Sequence, residues 1–514
     1  MTHSLAEAPD ATAESMTASA AIARARQAQP GWRAVPLEGR VQCLERFRRL
    51  LYERRADVAG LIARENGKPA AEATMTEVAT TLDMARFFGR IAPEWLAPQQ
   101  IGSSSLALWR KTITITRVPY GTVAVISPWN YPFMLPAGVV LPALVAGNTV
   151  LLKPSELTPA SGALLGDLLH AAGVPDDVLQ VLPGDGALGA ALTQGEVDKV
   201  FFTGSVATGR RVAHACAERL IPCSLELGGS DPAIVLEDAD IAHAASGITW
   251  GRFTNSGQTC VAPKRIFVVG RAYEPFVAAM RQRLAALRPQ GADDASYDLG
   301  PLIDPRQRTA LDALCREAAG HGAKVERGEG AGMRSDHPDA IQRWFPPTLL
   351  LEVRADARVM QEETFGPLLP IVRVGDVDEA VARANASPFG LSASVWSRDR
   401  RAARAVAERL EAGTVVLNDV TLIAGVAEVP HGGVKESGMG RSHGGLGLDE
   451  CVRTRTIVDD AFTAWRQPWW FGYGPDSARR ADGYLRLTHG ASLPSRLSGV
   501  VKVLQLLFRP ERPI

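Results

Sequence analysis

Between residues 122 and 226 of this chain, short apolar runs alternate one for one with segments of helical period. VAVIS leads to a helical stretch after Pro132, NTVLLK to SGALLGDLLHAAG, VLQVLP to a shorter helix and KVFFTGS to ATGRRVAHACAERL. Strands joined in this way by helices run parallel, and the helices must cover both faces of their sheet. A second alternation begins at PAIVLEDAD and continues through RIFVVG, TLLLEV, LLPIVRVG and SASVWS to GTVVLND. The expected fold class is therefore α/β, with two parallel-sheet units and a ligand cleft between them at the carboxyl ends of strands. A length of 514 residues is ample for this, at roughly 150 residues per unit.

Residues 118–152 hold no charged side chain, and a run of that length raises the question of a membrane span. Pro128, Pro132, Pro136 and Pro142 interrupt it, with Ser127 and Asn130 in its midst, so it reads better as buried strand, turn, helix and strand. Residues 36–90 show the pattern of amphipathic surface helices. In ALWRKTITITRVPYG, Thr112, Thr114 and Thr116 fall on one face and Ile113 and Ile115 on the other, a two-faced ribbon suited to an inter-subunit edge. After about residue 460 the character changes. Trp465, Trp469 and Trp470 crowd together, and Leu497, Val500, Val501, Leu504, Leu507 and Phe508 recur at helical spacing beside Arg496, Lys502 and Arg509. Such a stripe suits docking on the protein's own surface or on a partner subunit, and it also suits peripheral contact with a membrane.

Lys and Arg (56) balance Asp and Glu (56), so no net field draws the chain to nucleic acid. The six cysteines, Cys43, Cys216, Cys223, Cys260, Cys315 and Cys451, form no close pair, which argues against a structural metal or a disulfide scaffold and for a reducing cytoplasm. The N-terminal stretch lacks the features of a secretory signal and reads as a loose arm.

The candidate chemistry starts at FTNSGQTC, residues 253–260. Asn255, Gly257 and Gln258 describe a tight turn that sets amides around the Cys260 sulfur, whose thiolate would be a nucleophile. Taken alone, such a cysteine is as readily a small core residue. Glu226 in LELGGSDP ends an apolar strand, where burial would raise its carboxyl group towards neutrality and make it a general base. Asn130 in SPWNYP stands just past another strand, able to donate to an oxyanion or simply to close a turn. GDGALG satisfies GxGxxG from Gly184 to Gly189, but FTGSVATG lacks the acid that the dinucleotide fingerprint wants about twenty residues on. FTGS instead puts Gly204 and Ser205 before a helix N-terminus that can receive a phosphate, and Lys153 and Glu156 of KPSE can reach a ribose.

FTNSGQTC, LELGG, SPWNYP, KPSE, FTGS and EETFGP occur in the order, and at about the distances, of the aldehyde dehydrogenase superfamily, which the chain resembles over roughly residues 20–460. The resemblance implies a Rossmann-type parallel-sheet cofactor domain, an α/β catalytic domain and a small β oligomerisation arm. Residues 1–20 would be a flexible arm, 21–104 and 120–228 the NAD-binding domain, 105–119 and 441–460 the oligomerisation arm, 229–440 the catalytic domain and 461–514 a C-terminal extension. It makes Cys260 the nucleophile, Glu226 the general base and Asn130, with the Cys260 backbone N–H, the oxyanion hole. Lys153, Ser155 and Glu156 would lie at the adenine ribose, Ser205 and Trp129 by the pyrophosphate, and Glu363 and Phe365 at the nicotinamide ribose and ring. Gly184, Gly189, Phe202, Gly204, Leu227 and Gly228 complete the expected cofactor site, with no metal. Tyr131, Met134, Leu135 and Gly138 would line the aldehyde tunnel with Thr254, Thr259, Val261 and His431. Relatives often carry a bulky aromatic at the place of Gly138 and phenylalanine at that of His431, which implies a wider channel here and a changed polarity beside the sulfur.

The implied reaction is oxidation of an aldehyde to a carboxylic acid through a thiohemiacetal and a thioester on Cys260. NAD is expected over NADP, because the Glu156 carboxylate would repel a 2′-phosphate. The uncharged tunnel suggests medium, long-chain or aromatic aldehydes; a semialdehyde dehydrogenase, a cysteine esterase or acyltransferase, and a silent binding protein are the alternatives. A homodimer or homotetramer is expected.

Overall fold

The protein is described by a computed structural model over residues 11–103, 105, 108, 111–291, 297–328, 338–420, 422–460, 470, 471, 473, 474 and 476–507. Trp465, Trp469, Phe508 and Arg509, and the side chains of Leu504 and Leu507, lie outside what is described. The chain divides into two compact units, Met1–Leu96 with Val118–Arg453, and Ala97–Arg117 with Thr454–Ile514.

The first unit carries two sheets. One has six strands in the order Gly438–Met439, Cys223–Glu226, Lys199–Thr203, Thr122–Ile126, Thr149–Lys153 and Leu179–Val181. All its pairs are parallel except that of Gly438–Met439 with Cys223–Glu226. Thr122–Ile126 and Thr149–Lys153 are buried at every residue, as parallel strands covered on both faces must be. The chain fills one side of Thr122–Ile126 first and then returns to the other with Lys199–Thr203. That reversal opens a crevice at the carboxyl ends of these two strands, where residues 127–130 and 204–205 follow.

The uncharged run is accounted for by burial. Its helix Met134–Ala146 is buried at every residue but Leu135 and Val139, packed in one core with Leu44, Phe47 and Leu51 of the helix Leu37–Glu53 and with Met84 and Phe88 of the helix Thr80–Trp95. Among the described residues no helix is long and apolar enough to cross a membrane.

The second sheet has seven strands in the order Lys324–Arg327, Thr348–Leu351, Leu368–Val374, Pro263–Val269, Asp231–Val235, Ser392–Trp396 and Thr414–Leu417. Only the Lys324–Arg327 edge is antiparallel. Both alternations thus fold as the expected α/β sheets.

The expected boundaries are corrected in several places: residues 97–104, expected in the NAD-binding domain, belong to the second unit, and residues 118–119, expected in the arm, to the first. The loose arm is expected to reach residue 20, yet the helix Ala11–Ala34 begins well before it. Its alanines are strong helix formers, and Ala18, Ala21, Ile22 and Ala25 bury against Leu151, Leu188 and Leu192, a gain that a loose arm would forgo. The arm's second piece was drawn from residue 441, but residues 441–453 belong to the first unit. Ser442 exchanges backbone hydrogen bonds with His431, and Asn148 Nδ2 donates to the Cys451 carbonyl at 2.8 Å.

Most of the second unit's strand residues lie in a three-stranded sheet of Gln99–Ile101, Lys111–Pro119 and Val452–Asp460, with Lys111 Nζ donating to Asp460 at 2.7 Å. Two helices follow, Ser477–His489 and Leu493–Leu507, packed on each other.

Candidate active site

The helix Ile241–Phe253 ends where Asn255, Ser256 and Gly257 take left-handed backbone conformations in succession, with φ of 49°, 53° and 73°. For two non-glycine residues this costs roughly 1–3 kcal/mol each, so the loop must be held from outside. Asn255 N donates to Glu72 Oε2 at 3.1 Å, Ser256 Oγ to the Gly300 carbonyl at 2.7 Å, and Ile303 N to Gln258 Oε1 at 2.9 Å. The strained turn lifts Cys260 to a half-buried place beside Val261, Leu391 and Ala424. Burial pushes the Cys260 thiol up to about 12, with Lys264 the main opposing influence.

Lys264 was not singled out in the sequence, and it holds this loop. Its Nζ donates to the Cys260 carbonyl at 2.6 Å and to the Thr259 carbonyl at 3.0 Å. In a trans peptide the N–H points opposite to the preceding carbonyl, so gripping the Thr259 carbonyl fixes the direction of the Cys260 N–H.

Asn130 comes to the same loop from the end of Thr122–Ile126. Its Nδ2 donates to the Gln258 carbonyl at 3.1 Å, which uses one amide hydrogen and leaves a second for an oxyanion. Its own carbonyl accepts from Asn255 Nδ2 at 2.8 Å and from Lys68 Nζ at 2.9 Å. Lys68 is fully buried, 2.7 Å from Glu77 Oε1, and lies 3.9 Å from the centre of the Tyr131 ring. Glu77, within the π-helix Thr74–Ala79, accepts from the N–H groups of Phe133 and Met134 at 2.9 and 3.2 Å. Lys68 and Glu77 therefore brace Asn130 from below. The signal in the sequence was the pair itself: two charges nine residues apart, facing a segment with none.

Glu226 ends its strand with the side chain 14% exposed, and burial raises its carboxyl group to about 8. Among the described residues Oε2 has no hydrogen-bond partner, and it stands 3.9 Å from His431 Nε2. The residue also lines a small cavity with Gly138, Thr203, Arg441, Ser442 and Gly447. His431 is buried and stacked on His443, ring centres 5.8 Å apart. Burial and Arg441 hold His431 down to about 4, so it is neutral at physiological pH.

Of the residues expected to line a tunnel, one requires a correction. Tyr131 and Thr259 share a hydrogen bond of 2.8 Å; Met134, Thr254 and Val261 are buried and Leu135 is half-buried. Gly138 does not widen the channel. A Cβ on it would lie 3.0 Å from His443 Nε2 and 3.4 Å from the Met84 sulfur, so the room of the missing side chain is already filled. Gly138→Trp should destabilise the protein by about 1–3 kcal/mol or more, partly relieved when His443→Ala is added. Urea unfolding checks this, and a single variant as stable as the parent would show the space to be open.

Of the cofactor candidates, Trp129, Lys153, Gly204 and Ser205 stand at or just past the strand ends at the crevice. Lys153 is buried, 3.1 Å from the mainly exposed Glu156 carboxylate, and Ser155 Oγ accepts from Leu157 N at 3.2 Å. Gly189 faces the Lys153 stem, with a Cβ there 3.8 Å from Lys153 Cδ. Ser205 caps the helix Val206–Glu218, so the N-terminal amides of that helix face the crevice. A Cβ on Gly204 would meet the Phe202 ring at 2.6 Å, and one on Gly228 would lie 2.0 Å from Glu363 Oε2, the close backbone approach that a dinucleotide cradle needs. Glu363 Oε1 accepts from Gly229 N at 3.1 Å, Trp129 and Phe365 meet edge to face at 5.5 Å, and Leu227 is buried behind Gly209. Gly184 is the exception. It packs on Leu188 of its own helix, whose N-terminus is capped by the Asp185 carboxylate, and an acid there disfavours a phosphate. The residues present fit a nicotinamide dinucleotide at Ser205 rather than at the GxGxxG match.

Comparison with known proteins agrees with this geometry. A family model described as "Aldehyde dehydrogenase family" matches residues 2–457. The chain is 37% identical over 469 residues to the 4,4'-diapolycopene aldehyde oxidase of a Methylomonas species, covering 91% of this chain and 86% of that protein. It is 38% identical over 449 residues to a succinate-semialdehyde dehydrogenase [NADP(+)] of Deinococcus radiodurans, covering 86% and 90%. The crystal structure of a Mycobacterium tuberculosis aldehyde dehydrogenase complexed with NAD+ superposes with a TM-score of 0.81 at 31% identity, covering 88% of this chain and 92% of that one.

Proposed function

As the chain belongs to the aldehyde dehydrogenase family, we propose that it oxidises apolar aldehydes, medium to long-chain or aromatic, to carboxylic acids with NAD. The observation that carries this reading is the meeting of Cys260, the braced Asn130 amide and the buried Glu226 carboxyl group in one unit.

The Cys260 thiol releases its proton to water, and the thiolate adds to the aldehyde carbon, whose carbonyl oxygen becomes an oxyanion held by the Asn130 amide and the oriented Cys260 N–H. Lys153, Glu156, Ser205 and Glu363 would hold the dinucleotide, which would supply the hydride acceptor when bound. The acyl group is then a thioester on Cys260. Glu226, ionised above its raised pKa, takes a proton from water, which attacks the thioester and releases the acid and the thiol.

Support for an apolar substrate comes from the charges around the sulfur. Lys68 is paired with Glu77, Lys264 stands 3.7 Å from the Glu363 carboxylate, and His431 is neutral, so none of these three groups offers a carboxylate-bearing substrate an uncountered charge. The sulfur's neighbours Val261, Leu391 and Ala424 are apolar, and one relative is named 4,4'-diapolycopene aldehyde oxidase. A second reading, a small semialdehyde, is favoured by the relatives named succinate-semialdehyde dehydrogenase. For the cofactor, Glu156 favours NAD, while the NADP(+) in those relatives' names favours the other choice; the mainly exposed Glu156 side chain leaves room for NADP as the weaker of the two. The strand Val452–Asp460, exposed over most of its length, supports assembly into a dimer or tetramer.

A panel of aldehydes graded in chain length and charge, assayed with each cofactor, tests these choices. We expect kcat/KM to rise with apolar length and to be higher with NAD. Higher efficiency with succinate semialdehyde and NADP would replace the reading with the second one. Rapid quenching should also reveal an acyl adduct on the Cys260 peptide by mass spectrometry.

A further inference from the structure

The helical hairpin in the second unit is built inside out for a soluble protein. Ser477–His489 and Leu493–Leu507 approach each other through glycines. Gly483 is buried, and a Cβ on Gly499 would lie 2.3 Å from Leu487 N and 2.6 Å from the Gly483 carbonyl. With small residues at the crossing, bulky apolar side chains are left outside. Leu485, Leu493, Leu497 and Val501 are 55%, 71%, 57% and 53% exposed, with Trp470, Phe471 and Tyr473 exposed nearby in sequence. A helix pair packed for water does the reverse and buries its leucines between the helices.

Charge indicates what covers this face. Residues 470–514 carry seven basic residues against three acidic ones, while the whole chain balances 56 against 56. A symmetric contact between two copies would bring two basic surfaces together, whereas an anionic bilayer attracts them and accepts the leucines. We propose that the hairpin lies on an anionic lipid surface as an interfacial anchor, leucine face inward, without crossing the bilayer. The proposal is independent of which aldehyde the enzyme oxidises.

The test is co-sedimentation of the full chain with vesicles of phosphatidylcholine and phosphatidylglycerol in equal parts, and with phosphatidylcholine alone. Each basic residue near the surface multiplies partitioning about fivefold, so we expect strong preference for the anionic vesicles, weakening as salt is raised. Combining Leu493→Ser, Leu497→Ser and Val501→Ser should reduce binding by at least about tenfold while leaving turnover of a water-soluble aldehyde unchanged. The exposure of these side chains makes unfolding a poor explanation, and circular dichroism of the variant checks this. Absence of the parent protein from the anionic pellet, or equal binding by the triple variant, would overturn the proposal. So would a fall in the triple variant's molar mass by light scattering without vesicles, which assigns the face to a second copy.

Discussion

Glu226→Gln should release one equivalent of reduced cofactor per active site and then turn over roughly a hundredfold to ten-thousandfold more slowly than the parent, the range that a general base contributes. The amide keeps the shape of the side chain but cannot take a proton, so the acyl group waits on Cys260 as a thioester. The parent's pH profile offers a second readout. The Glu226 carboxyl group is raised to about 8 by burial, so the proton-accepting form is scarce below that pH and predominates above it. With deacylation rate-limiting, kcat rises with pH and levels off above about 8. In Glu226→Gln that inflection disappears. Undiminished steady-state turnover in the variant, with the inflection intact, would remove Glu226 from the mechanism.

Lys68→Met is the second large effect, and it should appear in two separable measurements. Glu77 would be left buried without its cation, a loss of about 3–5 kcal/mol in unfolding stability. The Asn130 carbonyl would lose one of its two donors, and a loosened oxyanion amide lowers kcat by up to about a hundredfold, with KM less affected. Adding Glu77→Gln removes the orphaned charge and keeps an acceptor for the Phe133 and Met134 amides. The double variant should therefore recover much of the stability but little of the rate. Recovery of both together would mean that Lys68 serves only the fold.

These expectations draw unequally on sequence and structure. Cys260, Glu226 and Asn130 stand out in the sequence as candidates because each closes a local pattern, a glycine turn, a strand end or a proline-framed corner, and because together these patterns resemble the family's motifs. The bracing of Asn130 does not stand out there, since Lys68 falls within residues 36–90, which read as ordinary amphipathic surface, although it lies in the loop after the helix Arg55–Asn66. Gly138 shows the opposite failure. An absent side chain suggests space in a one-dimensional reading, and the structure fills it with His443 from far along the chain. The GxGxxG match at Gly184 failed for a similar reason, because only the fold shows that Asp185 caps that helix while Ser205 opens the one at the crevice.

The sequence by itself determined two parallel sheets, their strands and helices, and the strand ends from which the chemistry projects. Period and burial pattern are written along the chain, and backbone hydrogen bonding converts them into regular elements with little choice. Only the tertiary structure decided which side chains meet: Lys68 under Asn130, Lys264 against the Thr259 carbonyl, His443 in the room beside Gly138. It also set the raised carboxyl group of Glu226 and the neutral state of His431. Contacts between distant segments, and the solvent withheld from a charge, depend on how finished elements pack, and that packing has no local signature to read.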